Sequence, residues 1–201
     1  MNLKKRLHPI FVLSCLLLMT ASASAAPRAK PLYERTYKNC LVVGVTDGDT
    51  LKARCGKPGS YKKMIVRLGG IDAPERKQAY GNRARKALSE LTFGQQANLV
   101  CNARDQYKRH ICKVIVAPRS APNGPKTLDS GLALITVGLG WWYKAYAHEQ
   151  SPQERGQYEF AEFEARAKRV GLWVDAHPVA PWDWRRNEKA RRDQLLSLIH
   201  I

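Results

Sequence analysis

The chain has 201 residues, with 34 lysines and arginines against 17 aspartates and glutamates, a formal net charge of +17. That excess argues against acidic partners and favours a polyanion, nucleic acid first and an anionic membrane or wall polymer second. The length suits one domain with a real core, and beyond the N-terminal segment no stretch is long and apolar enough to span a bilayer.

In chain order, Lys4, Lys5 and Arg6 precede a mostly apolar run from Ile10 to Met19, followed by the small residues Ala21-Ser22-Ala23-Ser24-Ala25-Ala26. This is the pattern of a secretory signal peptide over residues 1–25, with cleavage after Ala25 or Ala23. Cys15 follows Val12-Leu13-Ser14, a faint lipid-attachment pattern, but the apolar run continues past it. Removing residues 1–25 leaves 31 basic against 17 acidic residues, +14. A periplasmic or secreted protein is expected. Cys40, Cys55, Cys101 and Cys112 then remain, none in a C-x-x-C pair, so two disulfides are expected in place of a zinc site.

Residues 26–38 read as a flexible lead-in. Cys40 to Val45 is apolar and β-branched, Asp47-Gly48 is a hairpin-turn dipeptide, and Thr50 to Cys55 alternates with Leu51, Ala53 and Cys55 on one side. A third strand covers Met64 to Leu68, with a bend at Gly69-Gly70. Two further strands, Ala97 to Cys101 and Ile111 to Val116, flank the polar loop Asn102–His110. The strand reading puts Cys40 beside Cys55 and Cys101 beside Cys112.

Helices are expected from Gly81 or Asn82 (with Ala84, Ala87, Leu88 and Leu91 on one face), over Asp129–Val137, and over Gln153–Arg169 with Phe160, Phe163, Ala167 and Val170 along one face and Gly171 as the stop. Residues 176–195 form an extension with Trp182 and Trp184 that is expected to pack back on the body. The last six residues, 196–201, resemble the translation of a sequencing-library adapter. The resulting fold class is α+β: a five-stranded OB-type β-barrel with about three α-helices in a domain over residues 39–175.

The chemistry concentrates in Asp47-Gly48-Asp49-Thr50, in Arg67-Leu68-Gly69-Gly70-Ile71-Asp72-Ala73-Pro74-Glu75 and in Asp105-Gln106-Tyr107-Lys108-Arg109. Carboxylate oxygens bind hard cations, and guanidinium groups grip phosphate through paired hydrogen bonds. Each feature has a bland reading: turn formers at Asp47 and Asp49, a turn at Asp72, a solvated helix-entry carboxylate at Glu75, a solvated loop arginine at Arg109. Arg67 inside an apolar strand is harder to dismiss, because a half-buried arginine needs an anion. Tyr107 and Tyr143 suit stacking on bases of a single strand as well as ordinary packing. His110, His148 and His177 show no metal-ligand spacing, and no Gly-rich phosphate loop or serine nucleophile elbow is present.

Together the three blocks resemble the thermonuclease family, the staphylococcal or micrococcal nuclease-like proteins, over roughly residues 40 to 175. The resemblance implies an OB barrel, with Asp49, Asp72 and the Ala73 carbonyl on Ca2+, Asp47 supporting them, and Arg67 and Arg109 on the phosphate. Glu75 would be the general base or water-orienting group. The implied enzyme is a monomeric, sugar-nonspecific endonuclease acting on accessible or single-stranded DNA and RNA and leaving 3′-phosphate ends. Family members usually have glycine where this chain has Lys108. Two alternatives compete: a catalytically inactive OB module that binds nucleic acid, and a basic binding protein of the cell envelope.

Overall fold

The structure, a computed structural model, describes residues 35–199. The expected signal peptide with Cys15, the lead-in up to residue 34 and the last two residues lie outside that range. Alternation of buried and outward-facing side chains builds the barrel, clearest in β2, β3 and β6. Its five main strands are β1 (Arg35–Val45), β2 (Thr50–Cys55), β3 (Lys62–Leu68), β5 (Gln96–Arg104) and β6 (His110–Val116). In β2, Leu51, Ala53 and Cys55 point inward; in β6, His110, Cys112, Val114 and Val116 do. The strand order is β3-β2-β1-β5-β6, and a parallel pairing of β3 with β6 closes the ring (Val66 opposite His110, Leu68 opposite Cys112).

β1 begins at Arg35, ahead of its apolar run, because Arg35, Thr36 and Tyr37 pair through their backbones with Cys101, Val100 and Leu99. The disulfides Cys40–Cys55 and Cys101–Cys112 both form, each across neighbouring strands. Each closes a loop of 15 or 11 residues, for which about 3 kcal/mol of stabilisation is typical.

The short strands β4 (Ile71–Asp72) and β8 (Trp141–Trp142) pair outside the barrel, and β7 (Leu128–Asp129) pairs antiparallel with the end of β6. Helix α1 (Gly81–Thr92) buries Ala84 and Leu88. Helix α2 (Ser130–Thr136) is capped by the Asp129 carboxylate, which accepts the N–H groups of Gly131 and Leu132. Helix α3 (Pro152–Ala167) starts with a reciprocal Ser151–Glu154 capping box.

The face of α3 marked by Phe160 and Phe163 is not the one that turns inward. Phe160 and Phe163 are 60% and 65% exposed, while Tyr158, Ala161, Glu162 and Ala165 are buried. Two polar tethers set the rotation: Tyr158 Oη donates to Asp129 Oδ2 (2.8 Å), and Glu162 Oε1 accepts the Trp142 N–H (3.1 Å). Nor is Gly171 the stop. Arg169 takes the left-handed turn (φ 51°), and Gly171 instead lies against the Gly138 carbonyl, where any Cβ would collide with backbone. The C-terminal extension is a fourth helix, α4 (Pro181–Ile199), whose last turn includes Leu196–Ile199 of the suspected adapter tail. Among the described residues, no helix is long and apolar enough to cross a membrane.

Candidate active site

A cleft of about 720 Å³ opens at one end of the barrel. It is lined by all nine residues singled out for the site: Asp47, Asp49, Arg67, Asp72, Ala73, Glu75, Tyr107, Arg109 and Tyr143. The topology explains the convergence. The turn between β1 and β2 carries Asp47 and Asp49, the end of β3 and its continuation carry Arg67 to Glu75, and the parallel β3–β6 pairing brings the loop before β6 alongside.

Arg67 is the hub. Its side chain points out of the barrel yet is only 14% exposed, covered by the two aspartates. Nη2 lies 3.3 Å from Asp49 Oδ2 and 3.0 Å from Asp72 Oδ1, while Nη1 donates to the carbonyls of Leu68 and Ile71 (3.2 and 3.1 Å). Burial alone would lower the Arg67 pKa, but the charges of Asp49 and Asp72 hold it above its ordinary value. Burial and the charge of Asp49 push the Asp72 carboxyl up, against the opposing pull of Arg185 and Arg67. Burial, then the Asp49 charge, pushes Asp47 up to about 6. The Asp49 N–H donates to Asp47 Oδ1 (3.2 Å), which fixes the turn, and Asp49 also accepts from Thr50 Oγ1 (2.9 Å) and the Ala73 N–H (3.4 Å).

Arg109 approaches from the loop before β6. Asp105 accepts its backbone N–H (2.9 Å) and its Nε (2.7 Å), leaving the two Nη groups turned to the cleft, one of them 3.4 Å from Thr50 Oγ1. Lys108 sits at φ 63°, the left-handed conformation that glycine adopts at no steric cost, so the loop is formed without the glycine. Tyr107 is 69% exposed with Arg109 over its ring. Tyr143 is engaged differently: Trp182 of α4 stacks on it at 5.3 Å with 13° between the planes.

Glu75 is met by a residue that the sequence reading did not single out. Arg185, also on α4, places Nη1 2.8 Å from Glu75 Oε1 and Nη2 2.7 Å from Asp72 Oδ2. Its sequence signal is the Pro181-Trp182-Asp183-Trp184-Arg185 run, whose proline suits a first helical turn. Elsewhere, Trp141, Trp142 and Trp173 are buried packing residues, and Trp142 donates its indole N–H to Gln150 (2.9 Å).

As a cation site the cluster offers two carboxylates. Among the described residues, no three His, Cys, Asp or Glu side chains are grouped to share one ion. The convergence of Asp49 and Asp72 on a single guanidinium nitrogen nevertheless puts hard oxygen donors within reach of one point. Completed by a backbone carbonyl and waters, such a set can hold a hard divalent cation. Cationic guanidinium groups opposite acidic oxygens in one cleft can grip an anion while a carboxylate handles a proton.

Comparison with known proteins points the same way. The family described as "Staphylococcal nuclease homologue" matches residues 65–175. An uncharacterized endonuclease of Haemophilus influenzae is 35% identical over 178 residues, covering 89% of this chain and 86% of the relative. Protein ParB of Escherichia coli is 37% identical over 153 residues (76% and 82%), and a micrococcal nuclease of Shigella flexneri is 38% identical over 149 residues (74% and 80%).

Proposed function

The chain belongs to the staphylococcal nuclease homologue family and is an endonuclease, and on that premise we propose an exported, calcium-dependent enzyme that cleaves DNA and RNA to 3′-phosphate ends. Asp49 and Asp72 are the carboxylate ligands, Ala73 supplies its carbonyl, and Asp47 holds the Asp49 turn. The cation, when bound, neutralises phosphodiester charge that would otherwise repel an attacking water.

Glu75 orients that water and takes its proton. The water oxygen bonds to phosphorus as the bond to the 5′-oxygen breaks, which leaves the phosphate on the 3′-side and a 5′-hydroxyl protonated from solvent. Arg67 and Arg109 tighten on the phosphate oxygens as negative charge builds, a role suited to the guanidinium fork. Tyr107 stacks on an unpaired base, so accessible single strands are preferred and sequence discrimination is weak. Export is supported by the N-terminal sequence pattern and by two disulfides of the kind that persist in oxidising compartments.

The observation that carries this reading is the meeting of Asp49 and Asp72 on Arg67, with Glu75 and Arg109 in the same cleft. The test is cleavage of plasmid DNA and of an RNA by wild type and Glu75→Gln, with calcium and with a chelator, followed by end-group analysis. Calcium-dependent cleavage to 3′-phosphate ends, with kcat lowered about 10²–10⁴-fold in the variant, is expected. Binding without nicking under any metal would favour the inactive nucleic-acid-binding module instead.

A further inference from the structure

We propose that Arg185 is an internal competitor of the cation: it occupies Asp72 and Glu75 from helix α4, and it must let go of Asp72 for calcium to bind there. The inference rests on the calcium reading above and adds a residue that the reading does not use. Arg185 grips Asp72 with both ends of its fork, Nη2 to Oδ2 at 2.7 Å and Nη1 to Oδ1 at 3.3 Å, and Nη1 also reaches Glu75 Oε1 at 2.8 Å. Asp72 is 1% exposed, and its Oδ1 already carries the Arg67 contact at 3.0 Å. Both of its oxygens are therefore held by guanidinium groups. Calcium sits about 2.3–2.6 Å from a carboxylate oxygen. An ion on Oδ2 beside a nitrogen 2.7 Å from the same atom would put two positive charges in contact.

A second contact of the same helical turn strengthens the case. Pro181 is buried, and Trp182, three residues before Arg185 and so on the same side of α4, stacks on Tyr143 and meets Trp141 edge-on at 5.6 Å. One turn of α4 thus covers an aromatic ring suited to a base and neutralises the carboxylates suited to the cation. Arg185 is nevertheless 43% exposed, so its grip is reversible. By linkage, whatever Arg185 gains from holding Asp72 is subtracted from calcium affinity, and calcium loosens Arg185 to the same degree.

The test is calcium titration calorimetry on the full exported chain, wild type beside Arg185→Gln and Arg185→Lys, with circular dichroism to verify folding. Arg185→Gln should bind calcium on the order of tenfold more tightly, the scale of a charge-assisted, half-exposed contact. Arg185→Lys keeps a charge but not the fork, so it should fall between the two and carries the test should the glutamine variant not fold. Equal or weaker calcium binding by the variants, with wild type binding calcium, would overturn this inference and leave the nuclease reading standing. No calcium uptake by any of the three proteins would overturn both.

Discussion

Asp49, from the turn before β2, and Asp72, from β4, set Oδ2 and Oδ1 at 3.3 and 3.0 Å from the same nitrogen of Arg67. That nitrogen's partner in the fork serves two carbonyls, so the guanidinium holds the acidic cluster and the bend after β3 at once. A lysine has no second arm. Arg67→Lys is therefore expected to lower kcat by about 10²–10³-fold, the usual effect of removing a preorganised charge-stabilising donor. It should also lower calcium-free stability by about 1–3 kcal/mol, the scale of leaving buried polar groups unpaired. Steady-state kinetics and denaturant unfolding measure the two effects; near-native kcat in the lysine variant would remove Arg67 from the phosphate site.

Lys108 offers a change in the opposite direction. At φ 63° it takes a conformation that costs a residue with a Cβ about 1–2 kcal/mol, against which glycine's greater freedom in the unfolded chain must be set. Lys108→Gly should stabilise the protein by about 0.5–1 kcal/mol, read as a rise in Tm of roughly 1–4 °C for a chain of this size. Activity should be retained, because Asp105 rather than Lys108 holds the Arg109 backbone and Nε. A lower Tm would show that the lysine side chain contributes more than its backbone strain costs.

What the sequence disclosed, and what it did not, follows from the range of the forces involved. Strand alternation and the hairpin turn at Asp47-Gly48 are local, and they were enough to pair Cys40 with Cys55 and Cys101 with Cys112. The three acidic and basic blocks were readable because turns place them at strand ends. Arg185 was not, since it meets Asp72 across 113 residues and stands in a helix without an apolar stripe to announce it. Phe160 and Phe163 mark an apolar face of α3 in the sequence, whereas Tyr158 and Glu162, bonded to Asp129 and Trp142, determine which side turns inward. The early start of β1 escaped notice because backbone pairing to β5, not side-chain character, extends it to Arg35.

His110 should give the fold an acid-side sensitivity distinct from the carboxylates. It is buried at the start of β6, its Nε2 accepts from Arg104 (Nη2 at 2.8 Å), and the Tyr37 ring meets it edge-on. Burial, then the charges of Arg104, Lys62 and Arg35, lower its pKa below the ordinary 6.5. The unfolded chain thus takes up the proton first as pH falls through about 6.5. Stability from this group is complete above that pH and is lost progressively below it, down to the depressed folded value. His110→Gln keeps an acceptor for Arg104 without titrating, so the difference in unfolding free energy between wild type and variant should shift against wild type from pH 7.5 to pH 5. A pH-independent difference would mean that His110 is not held neutral in the fold.

Gly48 ties the fold to the site most directly. A Cβ built there would lie 2.6 Å from the Ala73 Cβ and 2.7 Å from the Ala84 Cβ, both closer than carbon atoms tolerate. Neither neighbour can yield freely: Ala84 is fully buried in α1, and Ala73 is buried directly after Asp72 in the segment that runs on from β4. Gly48→Ala is therefore expected to push the turn carrying Asp49 away from Asp72. The overpacking cost is about 1–3 kcal/mol of stability, and calcium affinity should fall because the two carboxylates no longer face one point. The second effect separates site geometry from general damage. Ala84→Gly, which removes one of the two clashing methyls, should return part of the calcium affinity to the Gly48→Ala protein even though a glycine inside α1 lowers overall stability by about 1 kcal/mol. Calorimetric titration of the single and double variants measures this. If the double variant bound calcium no better than Gly48→Ala alone, the close contact of Gly48 with α1 would not be what holds Asp49 opposite Asp72.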